Sequence, residues 1–211
     1  MKWIFDVGSG ASLPDFEAVI AIVDALEPVL EHKKTNPDLE IIIKTQLFKD
    51  IPPNKPLERD VFLYLKNYGE AKGFQVTASV FDLDSLSFLL VHDPCFVKIA
   101  CRPDLYWLAG EVPRKIPIVV SYDVRNELVN WDRLPPKCNY PLACVPTYPA
   151  KIEDYKFPGR VYISDHTVGL ELFKQEAPVV WEKHFVLKKN DPNNPDSMGG
   201  FALDPEELKQ I

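Results

Sequence analysis

Two lysines interrupt runs that are otherwise apolar, Lys44 in "IIIKTQ" and Lys98 in "FVKIAC". A buried ammonium is costly unless an anion meets it, so each points to a charged partner. Other polar residues close apolar runs in the same way: Asp6, Gln46, Ser79 with Asp82, Arg102, Ser121 with Asp123, Thr147 with Tyr148, Asp165 with His166, and Glu182, Lys183 and His184. Cations gathered at one mouth would take a phosphate or carboxylate through charge-assisted hydrogen bonds. Carboxylates and a histidine opposite them would serve as acid, base or metal ligands. Taken singly, each has a plainer reading. Ser164, Asp165 and His166 make an ordinary polar turn, Glu182 to His184 an internal ion pair under a rim, and His32 and His92 are read as solvated.

These residues need a scaffold that brings them together. Eight short segments rich in β-branched or aromatic residues recur, at 3–8, 40–48, 74–81, 95–101, 116–122, 140–146, 160–165 and 178–186. They lack strict alternation, as expected of parallel strands covered on both faces. Between the first two, Phe16, Val19, Ile20, Val23, Leu26 and Leu30 fall at helical spacing, with Pro14 and Asp15 suited to a first turn. A second helix is expected over about Leu57 to Lys72, its stripe formed by Val61, Leu65 and Tyr68 and its end marked by Gly73. Later connections, "DLDSLSFLLVH", "RPDLYWLAGEV" and "DVRNELVNW", hold only short helices. The sixth, "TYPAKIEDYKFPG", has room for none, and "DPEELKQI" closes the chain. Eight strands alternating with such connections predict an α/β fold, a compact (β/α)8 TIM barrel with shortened helices, small against the roughly 250 residues typical of that fold. A doubly wound sheet is the alternative, disfavoured because no Gly-rich first turn follows a strand. In a barrel, residues at the C-terminal strand ends converge on one site.

Composition narrows the function. The 211 residues are 46% hydrophobic and 26% charged, enough for one substantial core. A net charge of -7 offers no basic field for nucleic acid or an anionic membrane, so neither is expected as a partner. No apolar run approaches the roughly 20 residues that span a bilayer, and an acidic residue interrupts the N-terminal segment early, so a cytoplasmic location is expected. Cys95, Cys101, Cys138 and Cys144 lack CxxC spacing and read as reduced, small hydrophobes. Twenty prolines, many in runs such as "DIPPNKP" and "RLPPKCNYP", punctuate the strands.

Several motifs carry a resemblance. "KTQLF", "ASVFDLDSLSFL", "FVKIACRPDL", "CVPTYPAKIED", "YISDHTVGLE" and "EKHFVLKKNDPNNPDSMGGFALDPEEL" are similar, in order and spacing along nearly the whole chain, to the second, third, fourth, sixth, seventh and eighth strands of sialic acid (N-acetylneuraminate) synthases. The resemblance implies a TIM barrel that condenses phosphoenolpyruvate with N-acetylmannosamine or a related N-acyl sugar. Phosphate is released by C–O cleavage, with a divalent metal, Mn2+ or Mg2+, as cofactor. It implies that Lys44, Ser79 and Lys98 hold phosphoenolpyruvate, with Ser121 near its phosphate. Gln46 and Tyr148 then face the sugar, Asp6 takes the place of an acid/base glutamate, and His166 is one of two metal histidines. Catalytic roles fall on Asp6, Lys44 and Lys98; a homodimer is possible.

The motifs also depart from the family. Its Leu-His-Cys on the sixth strand reads "PLACVP", with Ala143 for the second metal histidine, which puts the metal in doubt. Glu-x-Gly-x-Asn-His becomes "DVGSGA", shortening the glutamate to Asp6, and a misplacement of about 1 Å can cost on the order of 100-fold in rate. Cys101 replaces a hydroxyl near the phosphate, Arg102 replaces a glycine, and Asp123 stands where an anion would be repelled. The family's antifreeze-like C-terminal domain, which brings an arginine to a partner's site, is read as absent, leaving a single domain over 1–211; Arg102 is a candidate to replace that guanidinium. Two other readings stand beside the enzyme: a catalytically degenerate barrel kept as a ligand-binding or interaction module, and a lyase or aldolase using Lys44 or Lys98 as a Schiff-base amine, which needs a depressed pKa.

Overall fold

The computed structural model describes residues 1–49, 54–125, 134–156 and 162–211. Eight parallel strands close into one barrel in chain order: β1 (Lys2–Asp6), β2 (Glu40–Leu47), β3 (Gln75–Val80), β4 (Val97–Ile99), β5 (Ile118–Asp123), β6 (Tyr140–Cys144), β7 (Tyr162–Asp165) and β8 (Val180–His184). The barrel closes through β1 against β8, with Asp6 opposite His184 and Ile4 opposite Glu182. All eight expected strands are present, most of them shorter than the expected segment, while β1 begins one residue earlier and β5 runs on to Asp123.

Alternation along each strand sorts the side chains into two sets. Ile4, Ile42, Phe96, Val119, Leu142 and Val180 meet inside the barrel as an apolar plug below the polar mouth. The other parity faces the helices, where Trp3, Phe5, Trp181 and Phe185 pack edge to face, Phe5 and Trp181 with centroids 6.0 Å apart. Burial of such rings supplies a large share of the hydrophobic stabilisation.

The helices are α1 (Phe16–Leu26), α2 (His32–Thr35), α3 (Arg59–Lys72), α4 (Leu83–Leu90), α5 (Leu108–Glu111), α6 (Glu171–Glu176) and α7 (Pro205–Leu208). Asp15 caps α1 by accepting from the Ala18 N–H at 2.9 Å, and Gly73 ends α3 in the left-handed region at φ 104°. The long first helix expected from periodicity is broken: a 3-10 turn over Glu27–Glu31, with Pro28 in its first turn, separates α1 from α2. Proline lacks the N–H that would continue the α-ladder. The buried stripe of α1 is also shifted, to Val19, Ile22, Val23 and Leu26, leaving Phe16 exposed. Among its described residues the sixth connection holds only a 3-10 turn at Ile152–Asp154, while most of the helix expected in "DVRNELVNW" lies outside the described residues. His32 and His92 are half-buried rather than solvated, against Trp3 at 5.1 Å and Phe88 at 4.9 Å. Among the described residues no helix is long and apolar enough to cross a membrane.

Candidate active site

The inward parity of the strand ends builds a cavity of about 390 Å³ at the C-terminal mouth. Asp6, Lys44, Gln46, Ser79, Lys98 and Ser121 reach it from the first five strands. Tyr148, Ser164, His166, Glu182 and His184 complete it, and Arg102 and Asn54 stand on its wall. Asp6, Lys44, Gln46, Ser79, Lys98, Arg102, Ser121, Tyr148 and His166 therefore line one space, whereas Asp82, Asp123 and Thr147 do not. Nor do Asp165 and Lys183. Their parity turns them outward, where Asp165 accepts from Trp181 Nε1 at 3.1 Å and from the Thr167 N–H at 2.8 Å, and pairs with Lys183 at 3.2 Å.

Each inward lysine already has a carboxylate. Lys44 Nζ donates to Asp6 Oδ2 at 2.6 Å and to Ser79 Oγ at 3.0 Å. Lys98 Nζ donates to Ser121 Oγ at 2.9 Å and lies 3.5 Å from Glu182 Oε1. The mouth is thus balanced in charge, not simply cationic. Burial alone would raise the Asp6 carboxyl, but Lys44, His184 and the Gly8 N–H hold it well below the usual carboxylate range. Burial would equally depress Lys44, yet Asp6 and Glu182 outweigh it and hold the ammonium above its ordinary value. A Lys44 so held is no neutral amine, which removes it as a Schiff-base nucleophile. Gln46 Nε2 donates to Asp6 Oδ2 at 3.3 Å. Arg102 is committed to Asp104 by two hydrogen bonds of 2.9 and 2.7 Å, and Asp123 is matched by Arg125 at 2.8 Å, so neither presents a bare charge to a ligand.

On the opposite wall His166 Nδ1 lies 2.8 Å from the Val145 carbonyl, which only accepts, so the proton sits on Nδ1 and Nε2 keeps its lone pair. Burial, with His184 beside it, holds this imidazole well below the ordinary histidine value. Ser164 Oγ lies 3.4 Å from Nε2, but its single proton goes to Glu182 Oε1 at 2.8 Å. Glu182 Oε2 is buried without a hydrogen-bond partner among the described residues. One imidazole nitrogen and one carboxylate oxygen thus stand unsatisfied on one wall. That donor set suits Mg2+ or Mn2+, which keep several positions for water and substrate, better than tetrahedral zinc. Among the described residues no cluster of three or more His, Cys, Asp or Glu encloses an ion.

Ala143 is not where sequence reasoning set it. The inward residues of β6 are Leu142, in the plug, and Cys144, in the cavity, whereas Ala143 packs in the outer layer. Cys144 Sγ lies 3.7 Å from His166 Nδ1. Two further residues escaped the sequence reading. Asp196, carried by the 3-10 segment Pro195–Gly200, places Oδ1 3.8 Å from His184 Nδ1, while His184 Nε2 lies 3.7 Å from Asp6. Asn54 comes from the loop after β2. Tyr148, half-exposed, lays its ring 4.2 Å from that of His166 and forms the outer lip.

No family model matches the chain, and no curated protein matches it in sequence. Solved structures match it over 99% of its length. The N-acetylneuraminic acid (sialic acid) synthetase of Leptospira borgpetersenii, solved with citrate, has a TM-score of 0.72 and 20% identity, with 80% of that chain covered. The spore coat polysaccharide biosynthesis protein SpsE of Bacillus subtilis has a TM-score of 0.69 and 22% identity, with 65% covered. A truncated 3-deoxy-D-arabino-heptulosonate 7-phosphate synthase of Thermotoga maritima reaches 0.62 at 12% identity, with 85% covered. At such identities the likeness is one of fold.

Proposed function

We propose that the chain is a carbohydrate-biosynthetic transferase that condenses phosphoenolpyruvate with N-acetylmannosamine or a related N-acyl amino sugar and releases phosphate. The observation that carries this reading is the pair of ammonium–hydroxyl sites in one cavity, Lys44 with Ser79 and Lys98 with Ser121. Phosphoenolpyruvate has two anionic ends, a phosphate and a carboxylate, and two such sites would hold them by charge-assisted hydrogen bonds. The fold neighbours named for sialic acid and spore coat polysaccharide synthesis support a carbohydrate acceptor, and the citrate of the first is itself a polycarboxylate.

In this reading the methylene carbon of phosphoenolpyruvate attacks the carbonyl carbon of the open-chain sugar, whose oxygen takes a proton. Water adds to the cationic carbon left behind, and the C–O bond to phosphate breaks. Lys44 and Lys98 bind and orient the anion, while Gln46 and Tyr148 face the sugar. Asp6, held ionised, fixes Lys44 and can orient the attacking water, but delivers no proton at neutral pH. A divalent ion, when bound, would be held by His166 Nε2 and Glu182 Oε2 and would polarise the sugar carbonyl and offset phosphate charge. The balanced mouth favours that need, because both lysines already face carboxylates.

The test is phosphate release from phosphoenolpyruvate with a panel of N-acyl amino sugars and Mn2+, run beside Lys98→Ala. Sugar-dependent release that the variant lacks is expected. Absence of release with every sugar overturns the reading and leaves the binding-module alternative.

A further inference from the structure

Tyr155 follows the 3-10 turn Ile152–Asp154 and is buried behind the β6–β7 wall, its ring packed in the outer layer. Its hydroxyl engages two backbone groups at the end of β7. It donates to the Ser164 carbonyl at 2.8 Å and accepts from the His166 N–H at 3.0 Å. The β6–β7 ladder stops with Cys144 opposite Ser164. One step further, it would carry the His166 N–H to the Val145 carbonyl. That carbonyl is taken twice over, by His166 Nδ1 and by the Thr147 N–H, each at 2.8 Å. A carbonyl oxygen has two lone pairs, so the His166 N–H needs another acceptor.

We propose that Tyr155 is a positioning residue: its hydroxyl takes the His166 N–H away from the Val145 carbonyl and so leaves that carbonyl to hold the imidazole with Nε2 toward the cavity. The inference rests on the reading of His166 and Glu182 as the groups that would hold a divalent ion. The bond to Ser164 serves the same wall, because Ser164 Oγ donates to Glu182 Oε1 at 2.8 Å. One hydroxyl thus fixes the backbone behind both groups. The Ala150 N–H, on the His166 carbonyl at 2.8 Å, pins the residue from its other end.

Without the hydroxyl, the His166 N–H loses its partner inside the protein. A buried donor left unpaired is unfavourable, so it competes with the imidazole for the Val145 carbonyl. The ring then loses the acceptor that keeps its proton on Nδ1, and the proton can pass to Nε2, where Ser164 Oγ lies 3.4 Å away. A protonated Nε2 has no lone pair for an ion. Tyr106 provides a matched comparison: its hydroxyl donates to the Ser121 carbonyl on β5 at 2.7 Å, the same kind of bond to the backbone of a different strand.

The experiment reads the ring itself in protein without ligand, so its failure and that of the proposed reaction are separable. Protein with 15N-labelled histidine is examined by long-range proton–nitrogen correlation at pH 7, and His166→Ala identifies the His166 signals. Wild type should show the Nδ1–H form; the Nε2–H form overturns the proposal without recourse to a variant. Tyr155→Phe should bring up the Nε2–H form and weaken Mn2+ binding, followed by electron paramagnetic resonance, about tenfold or more, as loss of a group that orients a metal ligand does. Tyr106→Phe should leave the His166 signals and Mn2+ affinity as in wild type. A Tyr155→Phe protein with the wild-type tautomer, or equal changes in the two variants, overturns the proposal. If the tautomer moves as expected but wild type binds no Mn2+, the hold of Tyr155 on the imidazole stands and the metal reading falls.

Discussion

The Lys44 ammonium donates to the Asp6 carboxylate at 2.6 Å across the β1–β2 ladder, with both side chains all but closed to solvent. Removing one member leaves the other charged and unpaired, which costs about 3–5 kcal/mol. Asp6→Asn should lose stability of that order in urea unfolding at pH 7. The double variant Asp6→Leu with Lys44→Met should lose clearly less than Asp6→Asn.

The same pair sets an acid limit. The folded Asp6 carboxyl lies below its unfolded value, so its contribution is complete above the ordinary carboxylate range and is lost as pH falls through and below it. The gap in stability between wild type and Asp6→Asn should therefore narrow steadily from about pH 5 downward. A gap independent of pH would show that the pair is not ionic in the folded state.

For ligand binding, Lys98→Ala should weaken phosphoenolpyruvate by about 10- to 100-fold in calorimetry, the worth of a hydrogen bond to a charged group. Ser121→Ala, which removes only the hydroxyl beside that ammonium, should weaken it several-fold less. Equal effects would place the anion elsewhere in the cavity.

Ala143 gives a sharper test of the metal reading. Its side chain belongs to the outer layer, so Ala143→His cannot add a ligand and should instead cost about 1–3 kcal/mol by overpacking. His166→Ala and Glu182→Gln should each abolish Mn2+ binding followed by electron paramagnetic resonance. Tighter Mn2+ binding in Ala143→His would overturn the assignment of the inward parity on β6.

Ala177 ends α6 at φ 44°, in the region that glycine enters without a Cβ penalty. Ala177→Gly should stabilise the folded state by about 1 kcal/mol, seen as a higher Tm.

The barrel was legible because buried parallel strands read as dense β-branched runs and prolines separate them. Lys44 and Lys98 were legible for the complementary reason: an ammonium inside such a run needs a partner. What could not be read was parity. A strand covered on both faces is apolar on both, so nothing in "PLACVP" says which of Ala143 and Cys144 faces the cavity, and a one-residue shift exchanges them. Register against β5 and β7 decides it, pairing Cys144 with Ser164 and Asp123. Asp196 was missed because it belongs to no strand; only the fold of the C-terminal segment brings it to His184. The carboxylate partners of the lysines come from strands distant in sequence, so a mouth that seemed cationic along the chain is neutral in space.

The outward Asp165–Lys183 pair stands back to back with inward His166, Glu182 and His184. At β7 and β8 the barrel wall is ionic on both surfaces, and no layer of hydrocarbon separates a wet side from a dry one. A library built on apolar and polar positions alone would fail at this seam. The chain's freedom to drift is therefore uneven around the ring, narrowest where two sets of charges share one backbone.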